Sequence, residues 1–401
     1  MTMTSSVRTV QQPAPAAAAP LRVMHVLFRL QAGGMEYGVI KVVNGLDRAR
    51  ISNSICSTTP ADGVKKLLRR DVRLYECHRR PGNDPSLVLQ LYRVFRRERP
   101  HIVHTHAWGT LCEGLLAARL ARVPLVVHGE HGTLQLKPYQ ARLQRLMWRR
   151  ADRVLSVSSR LAERMAEGTG FPLNQITVIR NGVDLSRFQA CDRAGARRAL
   201  GLPQNAVVVG TAARLVPVKD QANLLNAFKR LADEGAEFTG VIAGDGPLRA
   251  ELEAQARALG IESRVRFLGH VPAVERVYAS LDIFVLSSKS EGLSNTILEA
   301  MASKIAVVAT RVGGADELVE DGASGLLVPP EDSAALADAI GWLIRDGDLR
   351  ESMSAAGRRR ALTRFTLDRM LREYKDMYCR LGGAIPAREG ADARTQRGAS
   401  R

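Results

Sequence analysis

Residues 287–302 read Ser-Ser-Lys-Ser-Glu-Gly-Leu-Ser-Asn-Thr-Ile-Leu-Glu-Ala-Met-Ala, and this stretch decides the fold of the chain. It follows a strand-like apolar run at 283–286 and leads into a helical pattern, so it predicts a strand, a loop and a helix. Ser294 or Asn295 can cap this helix, which leaves backbone N–H groups pointing outward at a site suited to phosphate. Glu291 and Glu299 frame the loop, and two carboxylates can accept hydrogen bonds from two hydroxyl-rich groups. Taken alone, they also fit a solvated loop residue and an ordinary surface residue of a helix.

The wider pattern around the two glutamates is long and specific. Glu-Gly-Leu-Ser-Asn-x-x-x-Glu-Ala-Met-Ala resembles the signature of retaining GT-B glycosyltransferases of family 4. In that family the first glutamate lies by the donor sugar and the second takes the ribose hydroxyls of the nucleotide. The resemblance implies these roles for Glu291 and Glu299, and it implies that Leu293, Ser294 and Asn295 contact the donor.

Length and composition indicate a globular protein of two domains. The chain has 401 residues, of which 45% are apolar and 25% charged, so it can bury two cores. Its five cysteines are scattered and form no Cys-x-x-Cys pair, which argues against a disulfide framework or a zinc ribbon and for a reducing compartment. No apolar run approaches the length of a membrane span, and the Ala/Pro-rich N-terminus lacks the apolar core of a signal peptide. We therefore expect a cytoplasmic protein.

Positive charge is concentrated in the first half of the chain. Residues 1–185 hold 28 Lys and Arg against 13 Asp and Glu, whereas the remainder holds 30 against 28. A basic half predicts an anionic partner, such as a membrane surface, a lipid phosphate or a nucleic acid. The pattern at 139–154 adds a basic amphipathic helix with Trp148 alongside, which fits docking at an anionic membrane at the inner face. A core-facing helix with a solvated basic side fits the same pattern.

The first half alternates strand and helix patterns. Buried strands are predicted at 23–28, 102–104 and 125–128, and arginine-rich helices at 64–70 and 87–99. Repeated βα units with few hairpin signals predict a parallel, doubly wound sheet. Gly33 and Gly34 form a turn between the first strand and its helix, where the backbone can approach a ligand at a positive helix end. Within the family this Gly-Gly-x-Glu loop sits against the donor phosphates.

Four of the eight histidines follow or end the predicted strands, at the sheet edge where ligands bind in such folds. They are His104, His106, His128 and His131. A metal site is one interpretation, but no nearby carboxylate or cysteine spacing supports it, so we predict no metal. His131 stands where family 4 enzymes place a histidine beside the donor sugar. His128, three residues earlier, is the competing assignment.

The second half repeats the strand–loop–helix pattern from residue 207. Arg214 and Lys219 follow its first strand, and two cations there suit a diphosphate whose charge grows as the sugar–phosphate bond breaks. Family 4 enzymes carry Arg and Lys at this spacing. Gly244 and Gly269 end two further strands, and the resemblance places their backbones near the donor. An Asp-x-Asp motif at 346–348 lies between helical segments, so we interpret it as a helix-terminating turn.

The resemblance covers residues 22–381 and implies an α/β, GT-B architecture: two Rossmann-like doubly wound parallel-sheet domains facing across a cleft. The predicted divisions are a tail at 1–20, an acceptor-binding domain at 21–184, a nucleotide-sugar domain at 185–363, a helix at 364–382 that crosses back, and a tail at 383–401. The implied reaction is metal-independent transfer of one sugar, with retention, from a UDP- or GDP-sugar to a glycan or polyprenyl-phosphate-linked acceptor, catalysed through His131, Glu291, Arg214 and Lys219. No cofactor is implied.

The opening loop and Gly-Glu-His-Gly are also similar to bacterial exopolysaccharide transferases of the exosortase-linked type. Two other functions fit parts of the pattern. A GT-B sugar-nucleotide epimerase would use the same nucleotide site, but it needs no acceptor surface, and the basic first half argues against it. A nucleic-acid-binding protein would interleave basic residues with aromatics, yet aromatics make up only 5% of the chain, so we expect no nucleic acid.

Overall fold

The computed structural model describes residues 19–82, 84–132, 137–189 and 192–385, which form two parallel sheets flanked by helices. The first sheet contains β1 (Leu21–Leu27), β2 (Ile51–Ser57), β3 (Arg73–Glu76), β4 (Ile102–His106), β5 (Leu125–Glu130), β6 (Arg153–Ser156) and β7 (Ile176–Val178). The second contains β8 (Val208–Ala212), β9 (Thr239–Ala243), β10 (Val265–Gly269), β11 (Ile283–Leu286), β12 (Ala306–Thr310) and β13 (Leu326–Val328). All strand pairs are parallel, as the repeated βα pattern predicts.

Helices connect the strands in both sheets. Those of the first half are α1 (Gly34–Gly45), α2 (Pro85–Glu98), α3 (Trp108–Leu120), α4 (Pro138–Trp148) and α5 (Ser159–Thr169). Those of the second half are α6 (Arg193–Ala199), α7 (Gln221–Asp233), α8 (Arg249–Ala258), α9 (Val274–Ser280), α10 (Asn295–Ala302), α11 (Ala315–Leu318), α12 (Ser333–Arg345), α13 (Gly347–Arg364) and α14 (Leu367–Gly383). None of the helices in the described part of the chain has the length and apolarity needed to cross a bilayer.

Each sheet reverses its strand order at one point. The orders are β3-β2-β1-β4-β5-β6-β7 and β10-β9-β8-β11-β12-β13, so the reversals fall between β1 and β4 and between β8 and β11. Ligands of open α/β sheets bind outside the carboxyl ends of the strands at such reversals. The loops after β1, β8 and β11 carry the Gly-Gly turn, the two cations and Glu291, and His106 is the last residue of β4. The topology therefore brings these residues to the two positions where ligands are expected.

The last helix packs against the first sheet, although it follows the second sheet in the chain. On α14, Met370, Tyr374, Met377 and Tyr378 are buried in one apolar cluster with residues of β1, β2 and β4. The chain enters α14 beside the interdomain linker, where Val183 forms a parallel bridge with Thr366. This apolar packing fixes α14 to the first half of the chain.

Polar contacts also join the two halves across the cleft. Asn181 Nδ2 donates to Leu293 O at 2.9 Å, and Ser158 Oγ donates to Gly292 O at 3.2 Å. The guanidinium of Arg180 lies 2.7 Å from Glu317 Oε2. Two of these three contacts hold the loop that precedes α10, so the position of the Glu291 loop depends on the first half of the chain.

Three predicted helix boundaries are wrong. The segment predicted as a helix at 64–70 is a 3-10 turn at Gly63–Leu67. The helix predicted at 139–154 ends at Trp148, because residues 153–156 pair with β5 as strand β6. The apolar pattern at 362–381 predicts a last amphipathic helix from residue 362, but α13 extends to Arg364 and the next helix begins at Leu367. In the second case sheet pairing overrides a local periodic pattern, and in the third Thr366 pairs with Val183 between the two helices.

The buried Trp148 corrects the interpretation of the basic helix. Its side chain is 1% exposed and packs against Phe171 in the core, with ring centroids 5.5 Å apart. It therefore cannot serve as the interfacial aromatic that the sequence pattern predicts. Tyr139, at the start of α4, is 64% exposed and is the aromatic residue on the solvent side.

Other predictions concern segments at the ends of helices or of the chain. Asp346 follows α12 and caps α13, because its side chain accepts a hydrogen bond from Leu349 N at 2.9 Å. The Asp-x-Asp sequence does lie at the junction of two helices, but only Asp346 separates them, and Gly347 and Asp348 form the first turn of α13 rather than a turn of their own. The predicted tails, 1–20 and 383–401, lie outside the described residues except for 19–20 and 383–385. The domain boundaries stay predictions.

Candidate functional site

The Glu291 loop connects β11 to α10 and turns its polar side chains toward the β8 loop. Ser294 is the helix cap, because its hydroxyl accepts from Ile297 N at 3.4 Å. Glu291 Oε1 accepts hydrogen bonds from Lys219 Nζ at 2.5 Å and from Ser288 Oγ at 2.7 Å. The structure therefore selects Ser294 from the two predicted caps and joins two predicted site residues, Lys219 and Glu291, as an ion pair.

Glu299 lies one turn into α10 and faces the first half of the chain. Its Oε2 accepts a hydrogen bond from Tyr278 OH at 2.9 Å. Burial raises the pKa of the Glu299 carboxyl, and the positive charge of Lys41, the Tyr278 hydrogen bond and Arg187 oppose that shift. Lys41 belongs to α1 and donates to the linker carbonyl of Gly182 at 3.0 Å. Glu299 is thus a partly buried acceptor between the two halves, not a solvated helix residue.

The two cations differ in their surroundings. Lys219 is paired with Glu291, whereas the exposed Arg214 makes no hydrogen bond or ion pair through its guanidinium with any described residue. The positive charge of Arg214 instead acts electrostatically on the Glu36 carboxyl group across the cleft. Burial raises the pKa of Glu36, and its own backbone N–H and then the charge of Arg214 oppose the rise. Arg214 is therefore the uncommitted cation that can meet an anionic ligand.

The Gly-Gly turn brings α1 against α10. A Cβ on Gly33 would lie 2.2 Å from Glu36 Oε2, so glycine is what allows the Glu36 side chain to fold back over the start of α1. Across the cleft, Asn295 Nδ2 donates to Gly34 O at 3.0 Å. The N-termini of the two helices consequently meet, and their partial positive charges and free N–H groups favour an anion between them.

Gly244 and Gly269 form a tight joint behind Arg214. Gly244 has a φ of +131°, and a Cβ there would lie 1.9 Å from Ala213 O. Its N–H donates to Gly269 O at 2.8 Å, and Gly269 has a φ of +66°. Only glycine adopts such a conformation at so close an approach without strain. The joint fixes the backbone that leads into Arg214.

The structure separates the two competing histidines. Both ring nitrogens of His128 are used, because Nε2 lies 3.0 Å from Glu130 Oε1 and Nδ1 lies 2.9 Å from Thr105 Oγ1. His131 instead lies against the Glu291 loop, where a Cβ on Gly292 would be 2.2 Å from His131 O. Glu130, which has no role in the sequence analysis, accepts from Gln144 Nε2 at 2.8 Å and orients His128.

The ring partners of His131 are two histidines to which the sequence pattern assigns no such role. His131 Nε2 lies 2.8 Å from His106 Nδ1, and His106 Nε2 lies 3.0 Å from His25 Nδ1. The available signal is positional: His25 lies on β1 opposite His104 on β4, and His106 follows two residues later on the same face. Strand alternation predicts the shared face of His104 and His106, but the order of the strands is needed to add His25.

One group of side chains in the described ranges could hold a metal ion. It consists of His25, His104 and His106, whose ligand atoms lie within 4.8 Å of one another. Burial lowers the pKa of each, to about 4 for His25 and well below the usual range for the other two. Neutral imidazoles are the form that binds metals. However, both nitrogens of His106 already lie within hydrogen-bond distance of neighbouring rings.

Comparison with known proteins matches both halves of the chain. Residues 32–187 match the family Glycosyltransferase Family 4, and residues 192–360 match Glycosyl transferases group 1. A D-inositol 3-phosphate glycosyltransferase of Geodermatophilus obscurus is 34% identical over 369 residues, which cover 82% of this chain and 81% of the relative. A UDP-Gal:alpha-D-GlcNAc-diphosphoundecaprenol alpha-1,3-galactosyltransferase of Escherichia coli is 27% identical and covers 74% of this chain and 79% of its own.

A solved structure supports the same assignment. HepE of Anabaena in complex with UDP has a TM-score of 0.78 and 25% sequence identity, and the match covers 90% of this chain and 100% of that one. The predicted architecture of two Rossmann-like domains is therefore confirmed as GT-B. The chain belongs to the glycosyltransferases that join a Glycosyltransferase Family 4 domain to a group 1 domain.

Proposed function

We propose that this glycosyltransferase moves one sugar from a UDP- or GDP-sugar to a glycan or polyprenyl-phosphate-linked acceptor, with retention at the anomeric carbon and without a metal or cofactor. The observation that carries the proposal is the convergence of two helix N-termini, the uncommitted Arg214 and the Lys219–Glu291 pair in one cleft. That arrangement suits a diphosphate beside a hydroxyl-rich group. UDP in the HepE complex supports a uridine nucleotide as the first donor to test.

The diphosphate would lie between α1 and α10. Gly33, Gly34 and Asn295 present backbone and amide groups there, and Arg214 supplies a full positive charge. As the bond to the sugar breaks, negative charge builds on the leaving diphosphate, so fixed donors and cations stabilise the transition state more than the ground state. Lys219 would contribute by turning from Glu291 toward the phosphate, and this exchange would leave Glu291 free to accept a sugar hydroxyl.

The nucleoside and the sugar would occupy opposite sides of that diphosphate. Glu299 would accept the ribose hydroxyls, because its carboxylate is held in place by Tyr278 and lies beside the cleft. Leu293 and Ser294 shape the start of α10, and Gly244 and Gly269 let the backbone approach the nucleotide. His131 and Glu291 would position the transferred sugar. The acceptor hydroxyl would then attack the anomeric carbon from the face that the diphosphate leaves: its oxygen forms the new glycosidic bond, the bond to the phosphate oxygen breaks, and the hydroxyl proton passes to the departing diphosphate.

The acceptor would reach the cleft from a membrane surface. The exposed side of α4 carries Tyr139, Leu143 and Leu146 beside the exposed Arg142 and Arg149. Apolar side chains with basic neighbours favour the interface of an anionic bilayer. The Escherichia coli relative is named for a diphosphoundecaprenol acceptor, which supports a lipid-linked acceptor here. We accordingly place this protein at the cytoplasmic face of the membrane, in the synthesis of exopolysaccharide or another surface glycan.

A donor-binding experiment tests the proposal. The unfolding temperature of the purified chain would be measured with UDP-, GDP- and ADP-sugars, each with and without EDTA. We expect one nucleotide class to raise it, with no effect of EDTA. The rise should disappear in Glu299→Gln and persist in Glu237→Gln, a control at a side chain that is 90% exposed. The donor identified in this way would then be incubated with lipid-linked acceptors.

Three outcomes would contradict parts of the proposal. No shift with any nucleotide sugar would remove the diphosphate and ribose roles assigned to the cleft. A shift that EDTA abolishes would mean that a metal ion takes part. Conversion of the donor into its epimer without an acceptor would show an epimerase rather than a transferase.

A further inference from the structure

A chain of three imidazoles runs from the cleft into the first half of the protein. His131 Nε2 lies 2.8 Å from His106 Nδ1, and His106 Nε2 lies 3.0 Å from His25 Nδ1. The three rings come from different segments: His25 from β1, His106 from the end of β4, and His131 from the loop after β5. Of these two ring contacts, only the one between His131 and His106 involves a residue of the proposed donor site, namely His131.

The two inner rings are removed from solvent. His25 and His106 are each 1% exposed. Burial lowers the pKa of His25 to about 4 and that of His131 to about 3, and it lowers the pKa of His106 well below its usual value. The charges that act on His106 come from His25, His104, His128 and His131, all of which oppose its protonation. At neutral pH the three imidazoles of this hydrogen-bonded series are therefore uncharged.

Uncharged rings restrict the hydrogen bonds to two arrangements. A neutral imidazole carries one N–H and one lone pair, so every ring in the chain must donate on one side and accept on the other. Reversing the bond at one end reverses both bonds. The tautomer of His131 therefore depends on which group forms a hydrogen bond with His25 Nε2, at the other end of the three rings.

That far end contains an amide from the neighbouring strand. Asn53 lies on β2 and is 3% exposed. The nearby Asn53 amide raises the pKa of His25 against the larger effect of burial, so it lies within reach of the ring. Among the described residues, His25 Nε2 and both polar atoms of the Asn53 side chain have no partner of hydrogen-bond geometry. A small rotation of the amide would satisfy His25 Nε2 and one of them.

We propose that Asn53, His25 and His106 fix His131 as the tautomer that carries its proton on Nε2. In this arrangement His25 Nε2–H donates to Asn53 Oδ1, His106 Nε2–H donates to His25 Nδ1, and His131 Nε2–H donates to His106 Nδ1. The lone pair of His131 is then on Nδ1, where it can accept from a hydroxyl of the donor sugar. The last step rests on the proposed function, whereas the tautomer itself does not.

The test measures the tautomer directly. The full chain would be labelled with 15N-histidine, and long-range 1H–15N spectra would be recorded at pH 7 without ligand, because a protonated ring nitrogen and a lone-pair nitrogen resonate far apart. We expect His131 to show a protonated Nε2 and a lone-pair Nδ1. His106→Phe removes both bonds of the middle ring and should give His131 a mixture of tautomers. His106→Gln restores hydrogen-bonding atoms and should recover part of the original pattern.

A neighbouring histidine provides the matched control. His104 is as deeply buried on the same strand, but its Nδ1 lies 2.7 Å from Tyr378 OH and outside the chain. The His104 ring lies 4.1 Å from that of His106, so His104→Phe can shift the His131 signals, but it should leave the tautomer of His131 unchanged. If His106→Phe does not fold, Asn53→Leu tests the same coupling from the other end and should also give a mixture. Asn53→Asp, which only accepts when ionised, should preserve the pattern of the wild-type chain.

Several results would overturn the proposal. They are a proton on Nδ1 of His131, a His131 pattern that neither His106→Phe nor Asn53→Leu changes, or stoichiometric zinc in the purified chain with histidine shifts that respond to a chelator. A donor assay separates this inference from the proposed function. If the transferase activity is present, His106→Phe should lower kcat about 10-fold with little change in the KM for donor, as expected for a group that acts through His131. If no donor is accepted, the spectra still decide the tautomer.

Discussion

The two sides of the cleft carry their chemistry in different ways. On the C-terminal side, Arg214, Lys219 and Glu291 follow the carboxyl ends of β8 and β11, where Arg214 is exposed and Lys219 pairs with Glu291. On the N-terminal side, His25 and His106 are 81 residues apart and meet inside the protein before they reach His131. The first side is a set of loop residues at fixed spacing. The second is a buried polar chain that exists only because of strand order and register.

This contrast predicts two kinds of response to mutation. A charged loop residue acts directly on ligand, so its loss should change activity while the fold remains. A buried polar residue also contributes to stability, because removing one partner leaves another buried and unpaired. The glycine contact between Gly292 and His131 joins the two sides, and its disruption should affect both properties.

The largest effect on activity is expected from Arg214→Ala. Its guanidinium is the uncommitted cation of the cleft, and removing one fixed group that stabilises a developing charge lowers kcat by about 100- to 1,000-fold. Because Arg214 is exposed and makes no pair with the described residues, the unfolding temperature should stay close to that of the wild type. Steady-state kinetics measure the loss of kcat, and thermal unfolding measures the unfolding temperature. Arg257→Ala, at an exposed position on α8, is the control, and an equal loss of activity in both variants would remove the role of Arg214.

Gly292→Ala should weaken the junction between the two sides. A Cβ at this position would lie 2.2 Å from His131 O, so the loop or the histidine must move. Such a backbone overlap destabilises by about 1–3 kcal/mol, and displacement of Glu291 should lower kcat as well. Denaturant unfolding and donor kinetics measure both effects. At Gly63 a Cβ would meet nothing within 4 Å, so Gly63→Ala should change neither. Full activity of Gly292→Ala would mean that the contact with His131 does not position the loop.

The buried histidines should make stability depend on pH between 6.5 and 5. The pKa of His25 is about 4 in the folded state against 6.5 when unperturbed, so below pH 6.5 the unfolded chain binds a proton that the folded chain does not. Stability should therefore fall as pH falls, by about 1.4 kcal/mol per pH unit for one such histidine once the pH is well below 6.5. His25→Gln should reduce this slope, and His78→Gln, at an exposed site, should not. Denaturant titrations across this range, above the titration of ordinary carboxylates, measure the slope. An identical slope in wild type and His25→Gln would show that His25 is not held neutral.

The smallest effect is expected on the outer surface of the basic half. Replacing Leu143 and Leu146 with serine removes apolar area from the exposed side of α4. Leu143 is 38% exposed and Leu146 is 45% exposed. Full burial of a leucine contributes about 1.5–3 kcal/mol. Because immersion at an interface is partial, we expect the two leucines together to contribute about 1.4 kcal/mol, so binding to phosphatidylglycerol vesicles should weaken about 10-fold. Vesicle sedimentation measures the change, and activity on a soluble acceptor should be retained. Leu173→Ser, at an exposed leucine of the same half outside α4, is the control, and unchanged vesicle binding in the double variant would exclude α4 as the contact.

Local structure is predictable where a short segment encodes it. Residues 283–302 show the strand, the helix cap and the two glutamates in one continuous stretch, and the strand lies at a strand-order reversal, as parallel βα repeats predict. Helix boundaries are less predictable. The basic periodicity of α4 continues past Trp148, but pairing of β6 with β5 takes the following residues into the sheet. Local patterns cannot reveal which long-range pairing will compete with them.

The sequence by itself determined the class of fold, the positions of the loop cations and glutamates, and the uneven distribution of charge, because each is expressed in local spacing or in composition. Only the tertiary structure decided that Lys219 pairs with Glu291, that Trp148 is in the core, that His131 rather than His128 lies against the Glu291 loop, and that His25 and His106 stand behind it. These facts depend on which strands are neighbours and in what register, and residues far apart in the chain acquire a shared environment only when the sheet forms.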